Sequence, residues 1–364
     1  MMRHLALVTL LMGCFLVACG SRGKHVTPSA EMRPTTAQSS PVGGPIGTPT
    51  GTRQLTPGGT KAISHAEGFL PADLPSGEYL LILEETGRQE APRSLNIWAL
   101  SGRRMGEILS GYISSAAISL DGDLLAVREY SPNDPMHSSA NYHVFSLTGP
   151  QDLPDWGEVQ GSPSALQMAW RPDGAGLAIP NEWDVYYLPL GSDTPTPITQ
   201  CEALLEGADC VWPSWSPSGE SLVFAVSVGG PDLEGEGAYI LSTRCIDTPR
   251  ECTMSALGPL PEIRWLTAWS PKGNHIAGMS ANDEVVVLTY PDPTVLRVVP
   301  TSHLEEGYPY PGGGIDTLVW SPDGRTLALD IGCKVHLLSI DTWELTPIPN
   351  DCRDPWIVGW IEVR

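Results

Sequence analysis

Positive charge is what this sequence has least of. Its 364 residues include 21 Lys and Arg against 42 Asp and Glu, a formal charge of −21. A surface so short of cations cannot neutralise phosphates, which excludes nucleic acid as a partner. It also disfavours a second, electrostatic hold on an anionic membrane, and it favours cations or basic partners. Long apolar runs are scarce too. Residues 5–17, behind Arg3 and His4, are too few to span a bilayer comfortably as a mature helix. They have the form of a signal peptide, residues 1–18. The motifs of common catalytic centres are missing: there is no Gly-x-Ser-x-Gly elbow, no His-Glu-x-x-His, no Walker loop and no Ca²⁺ loop of EF type. No Cys-x-x-Cys pair occurs, which speaks against zinc. We therefore expect no catalytic residue, no metal and no cofactor.

Eight cysteines are present. Cys14 falls in the signal. Leu16-Val17-Ala18-Cys19-Gly20 resembles the bacterial lipobox, which implies that Cys19 is acylated and becomes the mature N-terminus. Each buried CH₂ of an acyl chain adds about 0.8 kcal/mol of membrane affinity, so several chains anchor firmly. The expected location is extracytoplasmic, on the cell envelope, with the membrane contacted through this lipid. Residues 19–66 are dominated by Pro, Thr, Gly and Ser, as in Pro41-Val42-Gly43-Gly44-Pro45, and read as a disordered tether. Six cysteines remain: Cys201, Cys210, Cys245, Cys252, Cys333 and Cys352. An even number in an exported chain reads as disulfides, and six allow 15 connectivities. Pairs of sequence neighbours fit the repeats best: Cys201–Cys210, Cys245–Cys252 and Cys333–Cys352.

What the chain does have is a repeat. Val319-Trp320-Ser321-Pro322-Asp323-Gly324 reads as strand then tight turn, and Thr326-Leu327-Ala328-Leu329 as the next strand. Pro suits the second position of a type I turn and Gly supplies the positive φ that follows. Close copies are Ala169-Trp170-Arg171-Pro172-Asp173-Gly174, Ser214-Trp215-Ser216-Pro217-Ser218-Gly219 and Ala268-Trp269-Ser270-Pro271-Lys272-Gly273. Weaker ones lie at Ala117-Ile118-Ser119-Leu120-Asp121-Gly122 and Leu74-Pro75-Ser76-Gly77. The turn glycines are 45, 52, 45, 54 and 51 residues apart, the length of a four-stranded propeller blade with its loops.

The repeated Trp-Ser-Pro-Asp-Gly and its apolar strand resemble the WD40-like repeat of the TolB family, over roughly residues 74–364. That resemblance implies a six-bladed, all-β propeller, here placed at residues 67–364. It leaves function open, because propellers host enzymes and binding platforms alike. The first blade lacks a good inner strand, since Pro71 interrupts the run before Gly77. Trp356-Ile357-Val358-Gly359-Trp360-Ile361-Glu362-Val363 looks like an inner strand without a following turn. We expect it to slot inside the first blade, beside residues 78–85, and close the ring.

Numbering the strands of a blade A to D outwards, A–B and C–D turns share one face and are short. The longer segments, 130–141, 201–210, 229–237 and 301–314, fall on the B–C/D–A face, where function is expected. That face carries Glu305, Glu306, Tyr308 and Tyr310 on one loop and Asp232, Glu234 and Glu236 on another. Asp209, Arg264 and Asp316 should open three adjacent A strands at the channel mouth. The expectation is a monomeric, non-catalytic binding or scaffolding module taking a protein or carbohydrate ligand. The alternative is a glycan-active hydrolase or lyase, which needs two carboxylates roughly 5–10 Å apart in one cavity. The TolB resemblance also implies a place in an envelope or import complex, an analogy the tether weakens.

Overall fold

A computed structural model describes residues 70–71, 73–85, 92–130, 139–148, 153, 156–160, 167–181, 183–228, 235–243, 260–301, 315–331, 334–349 and 355–364. The leader and tether, Cys19 included, lie outside the described residues.

Each repeat folds into one antiparallel sheet, and there are six. Blade 1 holds β1 (Gly77–Glu85), β2 (Arg93–Ala99) and β3 (Arg104–Gly111). Blade 2 is β4 (Ile113–Ile118), β5 (Leu124–Tyr130), β6 (Ser139–Ser146) and β7 (Gly157–Gln160). Blade 3 is β8 (Ala169–Trp170), β9 (Gly176–Asn181), β10 (Asp184–Pro189) and β11 (Thr196–Pro197). The short helix α1 (Cys201–Leu204) leads into blade 4, β12 (Asp209–Trp215), β13 (Ser221–Ser227) and β14 (Gly237–Ser242). Residues 244–259, which follow it, are outside the described residues. Blade 5 is β15 (Trp265–Trp269), β16 (His275–Met279), β17 (Val285–Thr289) and β18 (Val295–Val299). Blade 6 is β19 (Leu318–Trp320), β20 (Thr326–Ile331), β21 (Lys334–Ser339) and β22 (Leu345–Pro347).

The last strand, β23 (Trp356–Val363), is the innermost strand of blade 1, in the order β23-β1-β2-β3. Its register runs from Gly77 opposite Val363 to Leu83 opposite Trp356. The two ends of the propeller thus share one sheet, as expected for ring closure.

The turns explain the repeat's composition. Gly122, Gly174, Gly219, Gly273 and Gly324 each donate their amide to the carbonyl three residues earlier, at 2.8–2.9 Å, and all have φ between 66° and 78°. The serine that opens the turn has a second task. Its hydroxyl accepts the amide of the residue five positions on: Leu124 N to Ser119 at 2.9 Å, and Ser221, His275 and Thr326 to Ser216, Ser270 and Ser321 at 3.0 Å.

The tryptophans explain how the blades join. The indoles of Trp170, Trp215 and Trp320 donate to Ala117, Ala169 and Ala268 carbonyls at 3.0, 3.1 and 3.1 Å, and Trp360 donates to Val319 at 3.4 Å. Every acceptor precedes the Trp, or in blade 2 its Ile118, on the A strand of the preceding blade. Trp269 departs from this. Its Nε1 is buried without a partner, while its backbone amide donates to the Ser214 hydroxyl at 2.9 Å. Between blades 1 and 2 the Trp is replaced by Ile118, which packs on Gly359. A Cβ at Gly359 would lie 2.2 Å from Ile118 Cγ2.

The core is accordingly divided among the blade interfaces. Leu266, Ala277 and Val285 of blade 5 pack against Leu327 and Leu329 of blade 6. Leu80 and Ile82 of blade 1 pack against Ala328 and Val335 of blade 6 and against Ile357 and Trp360 of β23. Being covered on both faces, inner strands such as Leu222–Val226 are apolar at every position. At the rim, β18 leaves Val295 and Leu296 exposed.

Candidate functional site

The antiparallel strand directions give the propeller two different ends. On the A–B turn face the prolines Pro172, Pro217, Pro271 and Pro322 ring the mouth of the central channel. With the inter-blade tryptophans they line a cavity of about 190 Å³ to which all six blades contribute. Leu120 stands in the proline position of blade 2 and is half exposed. Residues 73–76 lead into β1 on this face, where Pro71 approaches Gly106, and β23 ends there beside Gly77. Both ends of the described propeller therefore sit on the turn face.

The B–C/D–A face carries the polar chemistry. Asp209 opens β12 opposite Ser227, and its Oδ1 is buried with no hydrogen-bond partner. Burial pushes this carboxyl above the ordinary carboxylate range. Arg264 lies just before β15. Its amide donates to the Met279 carbonyl at 2.7 Å and its Nη1 to the Glu236 carbonyl at 2.6 Å. Asp316 precedes β19, and its amide, with that of Thr317, donates to Asp330 Oδ1 at 3.0 and 2.7 Å. Each of the three opens an A strand on this face, and each is held within its own blade or the one beside it. Glu305, Glu306, Tyr308, Tyr310, Asp232 and Glu234 lie outside the described residues.

Asp330 is the most deeply buried of these acids. Burial, with Asp316 nearby, raises its carboxyl well above the usual range, against the pull of the two amides. Next to it the Thr317 hydroxyl accepts the Ile357 amide of the closing strand at 3.1 Å. This polar staple ties blade 6 to β23.

Cys201 and Cys210 form a disulfide that closes the link from blade 3 to blade 4. Cys245, Cys252, Cys333 and Cys352 lie outside the described residues. The Asp184 carboxylate sits within 4.8 Å of both sulfurs. It accepts the Cys201 amide at 2.7 Å and the Thr199 hydroxyl at 2.8 Å, so the loop is fastened to the B–C turn of blade 3. A bonded sulfur pair offers no thiolate to a metal. The disulfide is of the kind that persists outside the cytoplasm.

Between blades 4 and 5 this face opens into a cavity of about 290 Å³, lined by Glu236, Leu260 to Arg264 and the turn Ser280-Ala281-Asn282. The 260–264 segment lies along β14, through Leu260 N to Ala238 O at 2.6 Å and Ala238 N to Ile263 O at 3.1 Å. It can also lie against β16 because Gly278 has no Cβ, which would fall 2.5 Å from Ile263 Cγ2. Glu236 is buried and takes the Val228 amide on Oε1 at 2.7 Å. Sequence reasoning placed Arg264 at the channel mouth and Glu236 on an acidic loop of this face, but did not single out Glu262, Ser280 or Asn282. The signal available was Ser280-Ala281-Asn282-Asp283-Glu284, a B–C turn whose Ser280 hydroxyl accepts the Asn282 and Glu284 amides at 3.1 and 3.3 Å.

No family model matches the chain, and no curated protein matches it significantly. Solved structures do share its fold. A protein from Agrobacterium tumefaciens provisionally assigned as TolB is 16% identical over 75% of this chain and 89% of its own, with a TM-score of 0.44. The propeller domain of Myceliophteria thermophila Cps50 (Swd1) is 12% identical over 74% and 81%, TM-score 0.44. A Bacteroides uniformis protein provisionally assigned as a 6-phosphogluconolactonase is 15% identical over 74% and 81%, TM-score 0.46. All three TM-scores lie below 0.5; the six sheets of the chain itself make the propeller, a fold that suits a binding or scaffolding module.

Proposed function

We propose that this protein is a lipid-anchored, extracytoplasmic binding module whose working surface is the B–C/D–A face. The observation that carries this reading is the placement of both propeller ends on the turn face. An anchor at Cys19 would then reach the propeller from the turn side, leaving the polar face directed away from the membrane. A Pro/Gly/Ser/Thr-rich tether of this length, behaving as a flexible coil, spans ~40 Å, enough to clear lipid headgroups without fixing the propeller against them. The Cys201–Cys210 disulfide supports the oxidising compartment.

Fractionation tests the anchor: Cys19→Ser should leave the membranes, and an unchanged membrane fraction sinks that part of the reading. Capture from solubilised envelopes tests the face. Arg264→Glu should lose partners that Leu120→Arg, on the turn face, retains; the reverse pattern refutes the choice of surface. One observation favours a second reading, a glycan-active hydrolase: Glu236 and Glu262 line the same cavity. Glu236 is, however, already spent on the Val228 amide, so binding is the reading we adopt.

A further inference from the structure

The cavity between blades 4 and 5 holds two opposite charges that do not satisfy each other. Arg264 commits one Nη1 to the Glu236 carbonyl, and the rest of its fork has no partner among the described residues. Glu262, two residues away, lines the same cavity, is exposed and has no partner there either. A guanidinium and a carboxylate free in one cavity would ordinarily close into an ion pair. Here the backbone at Glu262 takes an unusual conformation. Glu262 has φ of +63°, and the amide of Ile263 reaches back to the Pro261 carbonyl at 2.9 Å. That is a γ-turn of the rare, strained hand. Backbone strain of this kind concentrates at ligand clamps. Pro261, with Leu260 and Ile263 behind it, supplies the apolar part of the lining, and Asn282 is among its polar residues.

We propose that this cavity binds an apolar α-amino acid. Arg264 takes the carboxylate on its free fork, Glu262 takes the ammonium, and Leu260 with Pro261 covers the side chain. A planar carboxylate matches the guanidinium fork two bonds at a time. An anion alone would meet the uncompensated charge of Glu262, and a cation alone that of Arg264. A ligand carrying both charges satisfies both. A cavity of this size also fits a single residue better than a chain of sugars.

The assignment rests on the reading of the loop-rich face as the working face, and its test is separable from that reading. Purified full chain is titrated calorimetrically at millimolar concentration with L-leucine, N-acetyl-L-leucine and L-leucinamide. Leucine should bind, and each single-charge analogue should bind at least about 10-fold more weakly. Arg264→Gln should weaken leucine by about 10- to 100-fold, and Arg264→Lys, which keeps the charge without the fork, by less. Glu262→Gln should erase the preference for leucine over N-acetyl-leucine. Should Arg264→Gln melt early, Arg264→Lys and the exposed Glu262→Gln carry the test alone. Absence of leucine binding by the wild-type chain overturns the proposal, as does binding unchanged in well-folded Arg264→Lys and Glu262→Gln. If leucine fails while Arg264→Glu still abolishes envelope capture, the ligand class is wrong and the working face stands.

Discussion

Replacing Gly359 by Ala interrogates the ring closure directly. Gly359 lies on β23, paired with Leu81, and its missing side chain is occupied by Ile118 of blade 2. The added Cβ would sit 2.2 Å from Ile118 Cγ2 but 3.4 Å from its Cβ. The first separation is impossible without movement, and the second is ordinary contact. Relief must come from shifting either Ile118 or the closing strand. Forced overpacking of this kind costs about 1–3 kcal/mol. For a propeller of this size that corresponds to a fall in Tm of roughly 2–8 °C. The single change cannot by itself separate the clash from a general intolerance of β23, so a cycle with Ile118→Ala is needed. Ile118→Ala alone removes apolar contact from a half-buried site and costs about 1–2 kcal/mol. In the double variant the clashing methyl is gone, so the two costs should fail to add, with a favourable coupling of about 1–2 kcal/mol. Denaturant midpoints of the four proteins supply the measurement. Full additivity, or a Gly359→Ala protein as stable as the parent, means that blade 2 does not rest on β23 and the closure is wrong.

Two further outcomes follow from the same interfaces. Trp215 and Trp269 are equally buried and equivalent in the repeat, but only Trp215 donates its indole N–H, to Ala169. Trp215→Phe should therefore cost about 1–3 kcal/mol more than Trp269→Phe in urea unfolding; equal losses would contradict the indole ladder. Stability should also bend with pH in two directions. Burial raises the folded pKa of Asp330, so its contribution is complete below about pH 3.9 and is lost as pH rises towards the folded value. Burial lowers the folded pKa of His275 and of His336, so their contribution is complete above about pH 6.5 and is lost as pH falls below it. Asp330→Asn keeps an oxygen for the Asp316 and Thr317 amides and should remove the decline above pH 4. His336→Gln should flatten the decline below pH 6.5. Urea midpoints that vary with pH in both variants as they do in the parent would refute these assignments.

The architecture was legible because it is written several times. A Trp, a turn and an apolar strand recurring about every fifty residues state both the sheet and the number of blades, and an orphan copy at 356–363 states where the ring is joined. The same repeat carried information that reading it as turn chemistry did not extract. Ser119, Ser216, Ser270 and Ser321 were given no role in the sequence reading, yet each hydroxyl receives the amide that starts the next strand. Gly359 looked like an ordinary strand glycine and is a socket for a side chain about 240 residues distant in sequence.

The site was legible only where it touched the repeat. Asp209, Arg264 and Asp316 could be placed because counting back from Trp215, Trp269 and Trp320 fixes the start of each A strand. What they bind could not be placed: the Glu236 carbonyl comes from the end of a B–C loop, a connection that does not repeat, and Asp330 from the far end of a B strand, beyond the part that recurs. This separation is physical. Positions facing another blade must fit a neighbour built on the same plan, so they recur with the blade. Positions facing solvent at the B–C/D–A end meet no copy of themselves and are free to differ in every blade. A ligand site on a propeller is therefore found where the sixfold pattern is broken. In this chain it breaks between blades 4 and 5, where the Trp269 indole has no acceptor among the described residues and Glu262, which lines the cavity, holds positive φ. That is the same wall on which, among the described residues, Arg264 and Glu262 form no ion pair.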